Sequence, residues 1–199
     1  MIQTKEDLKR YIRQDRLMNG VLERTSFAYK IIRLLVPDLT IKYLFYLRKE
    51  EFYSNVCGGG RKILRFLYRY KRRNLGIKLG YSIPINVFGP GLSLPHYGTI
   101  VVSKNAKVGE NCRLHASTNI GASAGKPEAP IIGDNVYIGP GAILFGNITI
   151  ADNVTIAANA TVNKSCEVQN VVLAGTPAKV VKEEYECWVI FNKIVRSTK

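Results

Sequence analysis

Residues 132 to 162 read IGDNVYIGPGAILFGNITIADNVTIAANATV. In this stretch Ile132, Ile138, Leu144, Ile150, Ile156 and Val162 recur six residues apart. The column extends both ways, to Val108, Leu114 and Ile120 upstream and to Val168, Ala174 and Val180 downstream; only Lys126 and Ala174 of its thirteen places are not Val, Ile or Leu. A fixed short period decides the architecture, and a period of six is that of a β-helix built from hexapeptides. Two further columns agree with it. The residue after the aliphatic is mostly small or able to turn sharply, as at Gly109, Gly121, Gly133, Gly139, Ala151, Ala157 and Gly175. The fourth after it is small enough for a narrow interior, as at Cys112, Thr118, Ala124, Val136, Ala142, Val154, Ala160, Cys166, Val172 and Ala178. Three hexads make one coil of about 18 residues, and stacked coils bury the aliphatic column continuously. Ser123 to Pro130, around Lys126, interrupts the pattern and reads as a loop pushed out of the coil. An antiparallel sandwich would need alternating strands at irregular spacing, which this column does not offer.

Upstream of Pro84 the period changes to a helical one. Leu8, Ile12 and Leu17 lie near one face, and Ile31, Leu34 and Leu35 repeat at helical spacing. Pro37-Asp38 reads as a stop followed by a new N-cap, and Gly58-Gly59-Gly60 as a joint between helices. Arg61 to Arg73 reads as a basic amphipathic helix carrying Ile63, Leu64, Phe66, Leu67 and Tyr70. The expected organisation is α+β: a basic helical domain over residues 1–80, a β-helix over 81–182 and a tail over 183–199. Tyr185, Trp188 and Phe191 of the tail are candidates to cover the end of the β-helix.

Charge follows the same division. The chain of 199 residues carries 29 Lys and Arg against 15 Asp and Glu, a net +14. Residues 1–80 hold 19 cations and 7 anions (19 − 7 = +12), whereas residues 81–199 hold 10 and 8 (10 − 8 = +2). The excess therefore sits outside the repeat. It points to an anionic membrane, a lipid-linked glycan or packing within an oligomer. No helix-turn-helix or RNP-type pattern accompanies it, so no nucleic-acid partner is expected. Composition is that of a globular chain. No apolar run is long enough to cross a bilayer, and the N-terminus has no signal-peptide core. Cys57, Cys112, Cys166 and Cys187 are far apart, so they read as reduced structural thiols of a cytoplasmic protein, and no metal site is expected.

Several blocks together resemble a known family. They are Gly89-Pro-Gly-Leu-Ser-Leu-Pro-His96, Ile100-Val-Val102, Val108-Gly-Glu-Asn111, Asn119-Ile-Gly121, Ile132 to Ala142 and Leu173-Ala-Gly-Thr-Pro-Ala-Lys-Val-Val181. In order and spacing this chain resembles the serine acetyltransferases of the hexapeptide acyltransferase superfamily. The resemblance implies a left-handed parallel β-helix, a homotrimer or a dimer of trimers joined through N-terminal helices, and transfer of acetyl from acetyl-CoA to a hydroxyl. A hydroxyl is a poor nucleophile until a base takes its proton, and histidine suits that task. His96 aligns with the family's base.

The departures bear on the acceptor. No carboxylate stands at Tyr81 to Ile83, where enzymes acting on free serine carry the Asp that orients the base; a backbone carbonyl or Glu110 remains for that task. The family's Arg-His pair that holds the serine carboxylate is replaced by Pro127-Glu-Ala-Pro130. The block around Gly89 resembles variants associated with capsular or surface polysaccharide synthesis, so both L-serine and a sugar hydroxyl stand as acceptors. His115, about one coil after His96, is open between a surface imidazole and an acceptor-binding or second catalytic role, and Asn119 is a candidate to bind the acceptor. The resemblance places coenzyme A against Gly139, Gly141, Ala157, Ala158, Ala174 and Gly175. Lys179, with Lys164 second, would meet its phosphates. A non-catalytic β-helix scaffold is the alternative of another class.

Overall fold

The computed structural model describes residues 1–21, 37–56 and 61–189. The expected helix around Ile31 to Leu35, the glycine joint at 58–60, Cys57 and Phe191 lie outside the described residues. Among the described residues three helices come first: α1 (Lys5–Met18), α2 (Leu39–Asn55) and α3 (Arg61–Leu79). Thr4 caps α1 through a reciprocal box with Asp7, and Asp38 caps α2 by accepting from the N–H groups of Thr40 and Ile41.

Thirteen strands follow: β1 (Tyr81–Ser82), β2 (Ile100–Val102), β3 (Lys107–Val108), β4 (Arg113–Leu114), β5 (Thr118–Gly121), β6 (Ile131–Ile132), β7 (Tyr137–Ile138), β8 (Ile143–Phe145), β9 (Thr149–Ile150), β10 (Thr155–Ile156), β11 (Thr161–Val162), β12 (Val172–Gly175) and β13 (Ala178–Lys182). They form three sheets in the orders β1-β2-β5-β8-β11, β3-β6-β9 and β13-β12-β10-β7-β4. From β2 to β11 consecutive strands thus visit the three sheets in turn, and every pairing except β12 with β13 is parallel. This is the parallel β-helix that the six-residue column predicts.

Two-residue strands leave little ladder to hold a coil, so the interior and the corners do much of the work. Val108, Leu114, Ile120, Ile132, Ile138, Leu144, Ile150, Ile156 and Val162 are all buried in one continuous core. At one corner Asn111, Asn135 and Asn153 each take a left-handed backbone, which asparagine tolerates better than most residues. Their side chains stack as an amide ladder, Asn111 Nδ2 donating to Asn135 Oδ1 at 2.9 Å and Asn135 Nδ2 to Asn153 Oδ1 at 3.1 Å. Gln14 of α1 extends it by donating to Asn111 Oδ1 at 2.8 Å.

The register shows where the period holds. Leu144 pairs with Val162 and Ile138 with Ile156, one coil of 18 residues in each case. Ile120 instead pairs with Leu144, 24 residues on, because the excursion at Ser123 to Pro130 adds one hexad's length without changing the phase. Ala124, counted as interior by spacing, is accordingly exposed.

The last three members of the aliphatic column need correction. Ile150 pairs with Cys166 and Ile156 with Leu173, so the final coil is one to two residues short. Cys166, Val171 and Leu173 are the buried residues there, whereas Val168 and Val180 are 58% and 42% exposed. The coil then closes on the antiparallel pair β12–β13.

The helices close the first coil. Ile41, Tyr43, Leu44 and Leu47 of α2 share the β-helix core with Tyr81, Ile83, Leu92 and Leu94. At this junction Arg48 is fully buried, with Nε 2.8 Å from Asp15 Oδ2 and Nη1 3.0 Å from Glu51 Oε2. Arg48 also donates to the carbonyls of Phe88 at 2.9 Å and Gly89 at 2.7 Å, while Asp15 accepts from the N–H groups of Gly91 and Leu92. The tail takes a path other than the one expected. Cys187 and Val189 are buried with Met18, and the Cys187 thiol donates to the Asn135 carbonyl at 3.2 Å. The described tail therefore runs across the outside of the β4-β7-β10 sheet and does not cap the end of the coil.

Candidate active site

The segment from Gly89 to Leu94 is gripped by the C-terminal end of α1. Beyond the Asp15 contacts, Asn19 donates to the Leu92 carbonyl at 2.9 Å and accepts from the Leu94 N–H at 2.9 Å. Two residues later the chain turns a corner at His96, whose side chain is exposed. The Tyr81 hydroxyl donates to the His96 carbonyl at 2.8 Å, so the place that lacks a carboxylate supplies a backbone anchor. Glu110 does not orient His96. Its carboxylate is held by Arg10 at 3.1 Å on the corner between β3 and β4.

The turn after β4 stacks His115 close by, with the two imidazole centroids 5.8 Å apart. Arg113 Nε donates to His115 Nε2 at 3.2 Å, which requires that nitrogen to be bare and leaves the hydrogen on Nδ1. Burial, then the Arg113 charge, then His96 lower the His115 pKa from 6.5 to about 4. His115 is therefore neutral throughout the physiological range and a weak base, suited to donating a hydrogen bond from Nδ1.

Two cavities meet at Arg113. One, about 350 Å³, is lined by Asn19, Asp38, Ser93, His96, Tyr97 and Arg113 among others. The second, about 380 Å³, is lined by Arg113, His115, Tyr137, Thr155, Tyr185 and Trp188. The Arg113 guanidinium lies 4.0 Å from the Trp188 ring centroid, and Tyr137 packs at 5.0 Å from His115 and 6.2 Å from Trp188. A larger cavity, about 430 Å³, sits between the start of α1 and the first coils and contains neither histidine.

Sequence reasoning missed Arg113, Tyr137, Tyr81 and the siting of Trp188. A signal for the first two existed: Arg113 and Tyr137 occupy paired outward positions of adjacent coils. Residue alternation from the buried Leu114 and Ile138 places them on the outer face.

The remaining candidates lie on one corner. His115 N donates to the Ile138 carbonyl, Gly139 N to Ile156 and Ala157 N to Leu173, so His115, Gly139, Ala157 and Ala174 stack in successive coils. Gly141 bonds back to Ala116 in the same way. Ala158 and Gly175 complete this strip of small residues, and Lys179 pairs across the hairpin with Ala174 at its far end. The glycines at 139 and 141 answer to the stacking itself. A Cβ on Gly139 would sit 2.7 Å from Ala158 N, and one on Gly141, at φ +74°, would collide with Asn159 Oδ1. Asn119 stands off this strip, on the exposed face of β5 between Val101 and Ile143. Lys164 is exposed in the turn after β11. Among the described residues no group of three His, Cys, Asp or Glu is placed to hold a metal ion.

Known proteins agree with this architecture. The family model for bacterial transferase hexapeptide (six repeats) matches residues 129–164. A Dictyostelium discoideum protein named "Putative acetyltransferase" is 42% identical over 149 residues, covering 69% of this chain and 74% of that protein. Serine acetyltransferase of Buchnera aphidicola is 29% identical over 134 residues, and the match spans 61% of this chain but only 51% of that enzyme. Among solved structures, serine acetyltransferase of Neisseria gonorrhoeae superimposes with a TM-score of 0.68 at 23% identity, over 91% of this chain and 68% of that one. Soybean serine acetyltransferase also gives 0.68, at 22% identity, over 89% and 70%. These two share the fold, helices included. With a hexapeptide β-helix and a relative 42% identical and matched over about three-quarters of its own length, the chain belongs to the hexapeptide-repeat acetyltransferases, and its fold is that of the serine acetyltransferases.

Proposed function

We propose that the protein is an acetyl-CoA-dependent O-acetyltransferase acting on a sugar hydroxyl, with His96 as general base. The observation that carries this reading is the corner strip. It leads from two neighbouring imidazoles, past small residues, to a cation at its end. Small side chains at Gly139, Ala157, Ala158, Ala174 and Gly175 leave a flat track on which the pantetheine arm of acetyl-CoA would lie, and Lys179 would meet its phosphates. Bound there, acetyl-CoA supplies an activated acyl carbon. His96 takes the proton of the acceptor hydroxyl as its oxygen attacks that carbon, then returns it to the departing thiolate. His115 holds the acceptor through Nδ1–H, and Asn119 lies one strand away.

Two features favour a sugar over free serine. The cavity beside His96 is lined by hydroxyl, amide, carboxylate and guanidinium groups, as a polyhydroxyl ligand requires. Next to it Trp188, Tyr185 and Tyr137 offer ring faces for the apolar side of a pyranose. Serine is the second reading, carried by the names of the relatives. A membrane-bound glycan precursor as acceptor would suit the cationic helix α3, and the assembly we infer is a homotrimer.

The test is thiol release from acetyl-CoA with L-serine and a panel of nucleotide sugars. Turnover is expected with a sugar, and His96→Ala should lower it by about 10²–10⁴-fold. Turnover with L-serine alone would overturn the acceptor; full activity in His96→Ala would overturn the base.

A further inference from the structure

Helix α3 has two faces with different fates. At about 100° per residue, Tyr68, Arg72, Leu75, Gly76 and Leu79 fall on one side. That side is packed: Tyr68 stacks on Tyr53 at 5.6 Å, Arg72 pairs with Glu50 at 2.6 Å, and Gly76 and Leu79 are buried. A Cβ on Gly76 would come within 2.7 Å of the Tyr81 carbonyl, so the helix lies directly against the first strand. The opposite side carries Ile63, Phe66, Leu67, Tyr70 and Ile77 within an arc of about 100°. Nothing in the described chain covers it: Ile63, Phe66, Tyr70 and Ile77 are 67%, 67%, 60% and 73% exposed.

Charge selects the occupant of this face. Residues 61–79 contain eight Lys and Arg and no Asp or Glu. Lys62, Arg69 and Arg73 border the apolar arc on one side and Lys71 and Lys78 on the other. A second copy of α3 laid face to face would bring like charges together along both borders. An anionic bilayer satisfies both components, burying the apolar arc at the headgroup boundary while lipid phosphates neutralise the borders. No described helix is long and apolar enough to cross a membrane, so the contact lies in the plane of the surface.

We propose that α3 is an interfacial helix that docks the protein onto an anionic lipid bilayer through Ile63, Phe66, Tyr70 and Ile77. The role is independent of the acceptor. It also has a short mechanical route to the site, since Tyr81, two residues beyond α3, anchors the His96 carbonyl.

Co-sedimentation of the full chain with phosphatidylcholine–phosphatidylglycerol vesicles and with phosphatidylcholine vesicles tests the proposal. Binding is expected only to the anionic vesicles and should weaken as salt rises. Arg69→Gln with Arg73→Gln should weaken it about thirtyfold, at two removed charges near the surface. Phe66→Ser with Ile77→Ser should abolish it while leaving the molecule folded and acetyl transfer to a soluble acceptor unchanged. Absence of binding to anionic vesicles at low salt would overturn the proposal. So would binding that survives the Phe66→Ser, Ile77→Ser pair, or that soluble RNA competes away, because the contact would then be one of charge alone. A fall in oligomer mass for that pair, without vesicle binding by the parent chain, would assign the face to a second copy and overturn it as well.

Discussion

At the scale of single residues, the two histidines are distinguished by what stands beside them. Burial, with the Arg113 charge beside it, lowers the His115 pKa to about 4, whereas His96 sits on an exposed corner with its backbone pinned by Tyr81. The contrast has a thermodynamic consequence. The unfolded chain protonates His115 below about 6.5, and the folded protein refuses that proton until about 4. His115 therefore costs nothing above the unfolded value and progressively favours unfolding as pH falls across this window. Half exposure screens the effect to about 1–2 kcal/mol. Denaturant midpoints at neutral and acid pH should show the wild type losing more stability than His115→Asn. Equal losses would show that His115 titrates normally. Spacing alone placed both histidines near one groove, but the lowered His115 pKa depends on its burial and on Arg113, and both needed the corner's three-dimensional turn.

At the scale of elements, the β-helix was legible because its coils repeat an inward count that survives loops of whole hexads. The Ser123 to Pro130 excursion preserved that count, and the outward loop was readable. The shortened last coil was not. Val168, Ala174 and Val180 continue the six-step column by composition, while the chain had already dropped one to two residues at the corners after Val162. The packing of α1 and α2 onto the first coil was equally hidden, because it turns on Arg48, a charged residue in an ordinary-looking helix. Burial disfavours its charge, yet Asp15 and Glu51 outweigh this and raise its pKa; burial also pushes the Glu51 carboxyl up against the pull of Arg48. Arg48→Met would strand two buried carboxylates and the carbonyls of Phe88 and Gly89. The expected loss is about 3–5 kcal/mol, or about 10 °C in Tm. Scanning calorimetry checks this, and a change within 1 °C would show that the hub is dispensable.

At the scale of the whole molecule, the outer face of β2-β5-β8 presents aliphatic side chains to solvent. Val101 and Ile143 stand 40% and 42% exposed on either side of Asn119. The strands beneath them begin just after the corner that bears the site: Asn119 follows His115 by four residues, and Ile143 follows Gly141 by two. A partner coil seated on this face would border the groove and help exclude water from it. Three copies of the 22.2 kDa chain would give about three times that mass in sedimentation equilibrium. Ile143→Arg places a cation in the apolar contact and should return the mass to one copy. Because Ile143 is outside the two cavities, a site complete within one chain would keep its acetyl transfer in that variant. A site that needs its neighbour would lose transfer together with the trimer, and that joint loss is the outcome expected from the position of the groove at the edge of the face.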